Sequence, residues 1–232
     1  MRRRNASMTS LEESRVEPLR SGFDTEQGHT ITMDPTLDAS TIVLNILLYV
    51  LLPLWGVAGG VDWFCHRATK IESTAGLREA LVHALMGVQV GIPILLGLLF
   101  EVNVLVLIMC ILALVAHELV AHYDVHYAQD LREISIWEVH AHNYLATLPF
   151  FILLLIIVRR WETFVNFITL NWAGNMNLQW REESLGMNGN FAMSYIVGMG
   201  IFIVLPYMLE MYRCWRWERD NGVSTLPWRA SE

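Results

Sequence analysis

The sequence predicts an all-α integral membrane protein, a helical bundle with about five transmembrane helices. The composition is apolar, with 54% hydrophobic and only 17% charged residues. Some runs, such as residues 151–158, leave no polar face of the kind a helix on a soluble protein keeps. Each apolar run is close to the ~20 residues that a helix needs to cross a ~30 Å hydrocarbon core. The predicted spans are Ile42–Val61, Leu81–Phe100, Asn103–Ala121, Ala141–Val158 and Phe191–Leu209.

The remaining segments flank this predicted membrane domain. We expect a mobile polar tail over residues 1–40, the five spans over 41–212 and a polar C-terminal tail over 213–232. Residues 161–190 contain no run long enough to span, and they are expected to lie along the membrane interface opposite the histidines or to fold over it. The net charge of −7 argues against a nucleic-acid partner. The three cysteines are isolated, which excludes a CxxC zinc or redox motif.

Four acidic residues are each followed, four positions later, by a histidine. With 23 acidic residues among 232 and eight histidines, roughly one such pair is expected by chance. On a helix, residues four apart lie on one face with Cβ atoms about 5–6 Å apart, so each pair offers an oxygen and a nitrogen ligand to one point. Four pairs on four helices predict a carboxylate–imidazole metal site in the bundle core. The pairs are Asp62/His66, Glu79/His83, Glu118/His122 and Glu138/His142.

All four pairs are expected at one face of the membrane. The first and third pairs close their spans and the second and fourth open theirs, and consecutive spans alternate in direction. Ionisable groups at this depth are costly in lipid, so they face the bundle interior and bind something. A network of histidine–carboxylate ion pairs without metal is the alternative. The positive-inside rule places this face in the cytoplasm and the amino terminus outside, because it carries the larger set of cations: Arg67, Lys70, Arg78, Arg132, Arg213, Arg216 and Arg219, against Arg159, Arg160 and Arg181.

Further candidate ligands flank these pairs. On an ideal helix His117 and Asp124 share one face of the third span, whereas Glu118, His122 and His126 share another, so one cluster cannot easily use both faces. His140 points about 200° away from Glu138, and Ser135 with Glu138 also matches a capping box. Other candidates, either ligands or side chains that orient ligands by hydrogen bonding, are Glu72, Tyr123 and Tyr127.

Mixed carboxylate and imidazole ligands without thiolates suit iron, manganese or zinc. The supply exceeds the three or four ligands of one zinc ion, so two non-haem iron ions are favoured. Two irons in such a site activate O₂, and the natural substrate at a membrane face is a lipid-like molecule. The sequence contains no flavin or iron–sulfur motif, so electrons are expected from a separate reductase.

This layout loosely resembles the integral-membrane non-haem diiron enzymes, the lipid desaturases and hydroxylases. His122-Tyr-Asp-Val-His126 matches their HxxxH box, although the HxxHH boxes are absent and carboxylates are more numerous. The acid-rich set is similar to that of ferritin-like diiron bundles, which use Glu-x-x-His spacing. The resemblance covers residues 62–146 and implies hydroxylation or desaturation.

Four other functions stay open at this point. A haem b electron-transfer subunit would use His83 and His117 as axial ligands. A divalent-metal transporter would need a site that opens to both sides of the membrane. A zinc hydrolase is suggested by His117-Glu-Leu-Val-Ala-His122, which is one residue longer than the HExxH motif. A structural or assembly subunit of a larger membrane complex is the fourth.

Overall fold

The computed structural model describes residues 38–227 except 130, 132, 183, 187 and 188. Most of the predicted N-terminal tail, Arg132 and the last five residues therefore lie outside the described residues. The described part of the chain contains no β-strand, and five of its helices are long and apolar enough to cross a membrane. This confirms the predicted all-α class and fits a multi-pass membrane protein. The spanning helices are α1 (Ala39–Thr69), α2 (Gly76–Leu99), α3 (Val104–Gln129), α4 (Ile136–Arg159) and α6 (Phe191–Asn221), and a short α5 (Trp161–Ile168) follows α4.

The five spanning helices form a ring. Contacts between helices run from α1 to α4, α3, α2 and α6, and from α6 back to α1. Apolar packing fills one half of the ring, where Leu47 and Leu52 of α1 meet Leu98 of α2 and Ile152 of α4. Buried charged residues occupy the other half. The ring therefore has an apolar half and a polar half along the membrane normal.

Two spans contain a π-helical turn just before a proline. In α1 the turn covers Leu47–Leu51 and precedes Pro53; in α6 it covers Gly200–Val204 and precedes Pro206. Proline has no backbone N–H and its ring crowds the carbonyl four residues earlier, so a local widening of the helix accommodates it. Both helices continue past the proline and deliver polar side chains to the same end of the ring.

Helix α2 begins at Gly76, which has a φ of +67°. Glu218 of α6 lies against this start, where its Oε1 accepts hydrogen bonds from the backbone N–H groups of Leu77 (3.0 Å) and Thr225 (3.2 Å) and from the Thr225 hydroxyl. A carboxylate at a helix N-terminus satisfies free N–H groups and is favoured by the helix dipole. Glu218 thus ties the end of the last span to the start of the second.

We expect Gly76→Ala to lower the free energy of unfolding by about 1–3 kcal/mol, because residue 76 is left-handed and has no room for a side chain. An added Cβ would lie 2.7 Å from Thr225 Cγ2 and 2.9 Å from Glu218 Oε1. Thermal unfolding in detergent measures the effect. Gly60→Ala in α1 is the matched control, since a Cβ there meets nothing within 4 Å. Equal stability of the two variants would contradict this account.

Residues 161–190 fold over the apolar end of the ring. Arg181 donates to the backbone oxygens of Gly97 (2.9 Å) and Phe100 (3.1 Å), and so satisfies carbonyl groups at the end of α2. Glu101 accepts from Arg160 at 2.8 Å. The described residues of this segment close the end of the ring opposite the buried charges and form no helix long enough to cross a membrane.

Helix α6 runs to Asn221, beyond residue 212 where the membrane domain was predicted to end. Its last turns carry Arg213, Arg216 and Arg219, and basic side chains favour the C-terminus of a helix. Gly222 then ends the helix with a φ of +65°. The first part of the predicted C-terminal tail is therefore helical.

Candidate metal centre

A cluster of buried carboxylates and histidines lies in the polar half of the ring. All five spanning helices contribute to it. Seven of its eight residues are at most 6% exposed, and the side chain of the eighth, His142, is 17% exposed. Three of the four predicted acidic–histidine pairs meet here, each with both members. The cluster consists of Asp62, His66, Glu79, His83, Asp124, Glu138, His142 and Glu210.

His66 lies at the centre of this cluster. Its Nε2 is 3.6 Å from Asp62 Oδ2, 3.6 Å from Glu138 Oε1 and 4.0 Å from Glu79 Oε1. Its Nδ1 is 3.2 Å from Glu210 Oε1. One imidazole has at most two N–H groups and cannot donate to four carboxylates. Hydrogen bonds from His66 therefore do not satisfy all of them.

The other two histidines each face one carboxylate. His83 Nε2 is 2.9 Å from Asp124 Oδ2, and His142 Nε2 is 2.9 Å from Asp62 Oδ1. The rings of His66 and His83 stack with their centroids 4.5 Å apart and an interplanar angle of 8°. This stacking places the imidazole nitrogens of α1 and α2 side by side.

Three sets of side chains each bring one ligand atom within 4.8 Å of the others: Asp62, His66, His83 and His142; His66, Glu79 and Glu138; and Glu79, His83 and Asp124. In zinc sites, nitrogen and oxygen ligand atoms lie about 2.0–2.2 Å from the ion. Side chains whose ligand atoms approach one another this closely therefore have the dimensions of a metal site. Glu79 belongs to the second and third sets, which otherwise share no member. His66 and His83 are each shared with the first set, but of the shared residues only Glu79 has two oxygens that could bind two ions.

The charge of the cluster favours cations. Five carboxylates accompany three imidazoles, and the Arg213 guanidinium lies 3.9 Å from Glu210 Oε2. Acidic groups therefore outnumber basic groups in and beside the cluster. Uncompensated charge in a low-dielectric interior is costly. Two divalent cations would neutralise most of this charge. With oxygen and nitrogen donors and no cysteine in the three sets, the donor chemistry suits iron, manganese or zinc.

Two members of this site were missed by the sequence analysis. Glu210 follows the last apolar run, at the same membrane face as the predicted pairs, and that position was the available signal. Tyr207 donates its hydroxyl to Asp62 Oδ2 at 2.8 Å and also lies 3.1 Å from the Gly59 oxygen. Such hydrogen bonds behind ligand atoms fix their orientation. Nothing in the sequence distinguishes Tyr207 from an ordinary interface tyrosine.

Helix α3 turns only one of its two polar faces inward. Asp124 enters the cluster, and His117 on the same face is buried but lies outside the three sets. The second face, Glu118, His122 and His126, is exposed. The rings of His122 and His126 contact each other, with centroids 4.6 Å apart. The fourth predicted pair therefore does not join the cluster.

Helix α4 also separates its candidates. Ser135 accepts a hydrogen bond from the Glu138 backbone N–H at 3.2 Å and caps the helix, while the Glu138 side chain is fully buried in the cluster. The cap therefore leaves the Glu138 side chain free to lie inside the cluster. His140 is exposed. This agrees with its position about 200° from Glu138 on the helix.

The remaining candidates, Glu72, Tyr123 and Tyr127, lie outside the three ligand sets. Glu72 is in a 3₁₀ turn, Ile71–Ser73, so it does not share a helix face with Glu79. Tyr123 is exposed and accepts a hydrogen bond from Arg78. Tyr127 donates to the Ala75 backbone oxygen at 3.2 Å, and the Arg78 guanidinium lies 4.4 Å from its ring centroid. Both tyrosines therefore contact Arg78, and these contacts do not orient a residue of the cluster.

A cavity of about 820 Å³ adjoins the cluster inside the ring. All five spanning helices line it. Asp62, His83 and Asp124 border one end, and the rest of the lining is mainly aliphatic side chains, methionines and glycines. Its volume is within the ~300–1,000 Å³ range of small-molecule sites. The candidate metal site therefore opens onto an apolar space.

Comparison of the chain with protein-family models, with curated proteins and with solved structures finds no match. The function must therefore be inferred from the site.

Proposed function

We propose that the cluster binds two metal ions, most favourably non-haem iron, and that the protein catalyses the O₂-dependent oxidation of a lipid-like substrate. The observation that carries this proposal is the position of Glu79, shared by two adjacent ligand sets at the end of an apolar cavity. Bridging carboxylates in the core of a helical bundle are the mode by which diiron proteins hold their ions. The metal ions would supply the O₂ chemistry, and the protein would orient them and exclude water.

The proposed reaction needs an external electron donor. In hydroxylation, one oxygen atom of O₂ enters a C–H bond and the other leaves as water, which consumes two electrons and two protons. In desaturation, both oxygen atoms leave as water and two hydrogens leave adjacent carbons, with the same demand for two electrons and two protons. A separate reductase supplies the electrons.

The arginine-rich face at the cluster end supports a cytoplasmic site and an external amino terminus.

The other candidate functions have less support from the geometry. Haem ligation by His83 needs its Nε2, which faces Asp124 at 2.9 Å, and its ring stacks on His66. Transport needs a polar path to both sides, whereas the half of the ring opposite the cluster is lined by apolar side chains such as Leu95, Leu98 and Ile152. In the proposed hydrolase motif His117 is buried and His122 is exposed, and neither belongs to the three ligand sets.

Metal content per chain, measured with an optical spectrum on detergent-purified protein, tests this proposal. We expect roughly two iron ions per chain and no haem band, as in a dinuclear site. Stoichiometric zinc would instead support a hydrolase, and one haem would support electron transfer. Failure to bind any metal, even after reconstitution with Fe²⁺, would refute the proposal and leave a structural network of ion pairs.

A further inference from the structure

The cavity beside the cluster is long as well as large. On α2 its lining extends from His83 to Leu95, and twelve residues at 1.5 Å per residue correspond to about 18 Å. One leaflet of a bilayer contributes about half of the ~30 Å hydrocarbon core, so this length is comparable to the depth of one acyl chain. The far part of the lining includes Ile94, Leu95 and Ile196, which are apolar. An extended hydrocarbon chain fits this shape.

Two glycines of α2 keep the cavity wide. Gly87 and Gly91 lie one helical turn apart on the cavity wall, and a Cβ added to either meets nothing within 4 Å. Neither has a positive φ. Glycine inside a helix costs roughly 0.5–1 kcal/mol relative to alanine, and here neither backbone conformation nor close packing requires it. Their effect is to leave open volume along α2.

Polar groups of α3 occupy one side of this otherwise apolar space. His117 is 4% exposed and borders the cavity. Within the described residues, neither nitrogen of its ring has a partner with full hydrogen-bond geometry. Its polar surroundings are the backbone of Met86 and Leu145 and the carboxylate of Glu118. A buried imidazole with incomplete hydrogen bonds leaves a donor and an acceptor for a bound molecule.

The exposed pair Glu118/His122 adds to this polar side. Both residues line the cavity, as does Asn143 of the neighbouring α4, and all three lie within spanning helices. Polar side chains at such depth are costly when they face lipid tails. A polar group of a bound molecule would satisfy them. The fourth acidic–histidine pair of the sequence thereby acquires a use other than metal binding.

We propose that this cavity binds a single-chain amphiphile. Its polar end lies against His117, Glu118 and His122, and its apolar chain extends past Gly87 and Gly91 toward Leu95. The inference rests on the proposed function only in taking this molecule as the substrate. Since His117, Glu118 and His122 all lie within about two helical turns of the cluster residue Asp124 on α3, the carbon that is oxidised lies nearer the polar end than the chain terminus.

Photolabelling with a long-chain fatty alcohol that carries a diazirine at its chain terminus tests this proposal on the purified, metal-loaded chain. We expect the label on peptides that contain residues 91–95. Gly91→Leu fills the cavity and should abolish this labelling. Gly60→Leu is the matched control, because residue 60 has open space around it but does not line the cavity. His117→Phe should raise the alcohol concentration needed for half-maximal labelling.

Three results would overturn the inference: labelling that persists in Gly91→Leu, labelling that Gly60→Leu abolishes equally, or equal labelling by a diacyl phosphatidylcholine with the same diazirine. A dimer that buries Glu118 and His122 would also overturn the assignment of the polar end. Metal content of every variant separates the two proposals. Bound metal without labelling refutes the cavity inference alone, and labelling of a chain that binds no metal refutes the proposed function alone.

Discussion

Replacing Glu79 with glutamine is expected to abolish binding of both metal ions. Glu79 is fully buried and belongs to two of the three ligand sets, one with His66 and Glu138 and the other with His83 and Asp124. Glutamine preserves the shape of the side chain but removes its charge, and a neutral amide cannot bridge two cations as a carboxylate does. Changes behind a metal ligand cost roughly 10–100-fold in affinity, so loss of a bridging ligand should exceed that range.

Metal titration with Fe²⁺ under anaerobic conditions, followed by metal analysis, measures this effect. Glu162→Gln on α5 is the matched control: the same chemical change at an exposed residue outside the cluster, expected to leave the metal content unaltered. Because removing a charge from a crowded acidic site does not strain the fold, the Glu79 variant should remain helical by circular dichroism. Wild-type affinity in Glu79→Gln would show that no bridging carboxylate exists at this position.

Removal of metal is expected to destabilise the protein strongly. Without bound cations, five buried carboxylates face three imidazoles and the Arg213 guanidinium, and burial weakens the screening of their charges by water and salt. A ligand that binds only the folded state contributes about 2.7–4.1 kcal/mol at 100–1,000 times its Kd. We therefore expect a chelator to lower Tm by several degrees at least, and re-addition of Fe²⁺ to restore it.

Thermal unfolding of the detergent-solubilised chain, with and without chelator, makes this measurement. Glu210→Gln provides an internal comparison, because it removes one of the five carboxylate charges of the cluster, the one beside His66 Nδ1. The metal-free form of this variant should be more stable than the metal-free wild type. A Tm insensitive to chelation in the wild type would mean that the buried charges are compensated within the protein.

The sequence was sufficient to predict the spans and much of the cluster. Apolar length alone located the five helices, and the four-residue spacing identified both members of three pairs. It did not identify the inward face of α3, because the residues from Val104 to Ala116 are apolar all round and mark no side for the core. Packing fixes the rotation of this helix through Val106, Leu107 and Cys110, whose buried stripe continues into His117 and Asp124.

Contributions from distant parts of the chain were the hardest to foresee. Glu210 has no histidine four positions later, so the spacing that reveals the other carboxylates does not reveal it. Its approach to His66 joins residues 144 positions apart. The same is true of Tyr207 beside Asp62. Such pairings depend on how the ends of the ring close, which local periodicity does not determine.

The closure of the ring by α6 has a consequence for biosynthesis. This helix is the last of the five spans to leave the ribosome, and it carries both Glu210, beside His66, and Glu218, which caps α2. Until it inserts, the carboxylates of the first four spans border an open gap in the ring, where their contact with lipid is unfavourable. Assembly of the buried carboxylate–histidine cluster, which includes Glu210, thus waits for insertion of this helix. All residues of the three candidate ligand sets lie on the first four spans, so α6 would enclose the candidate metal site rather than supply its ligands.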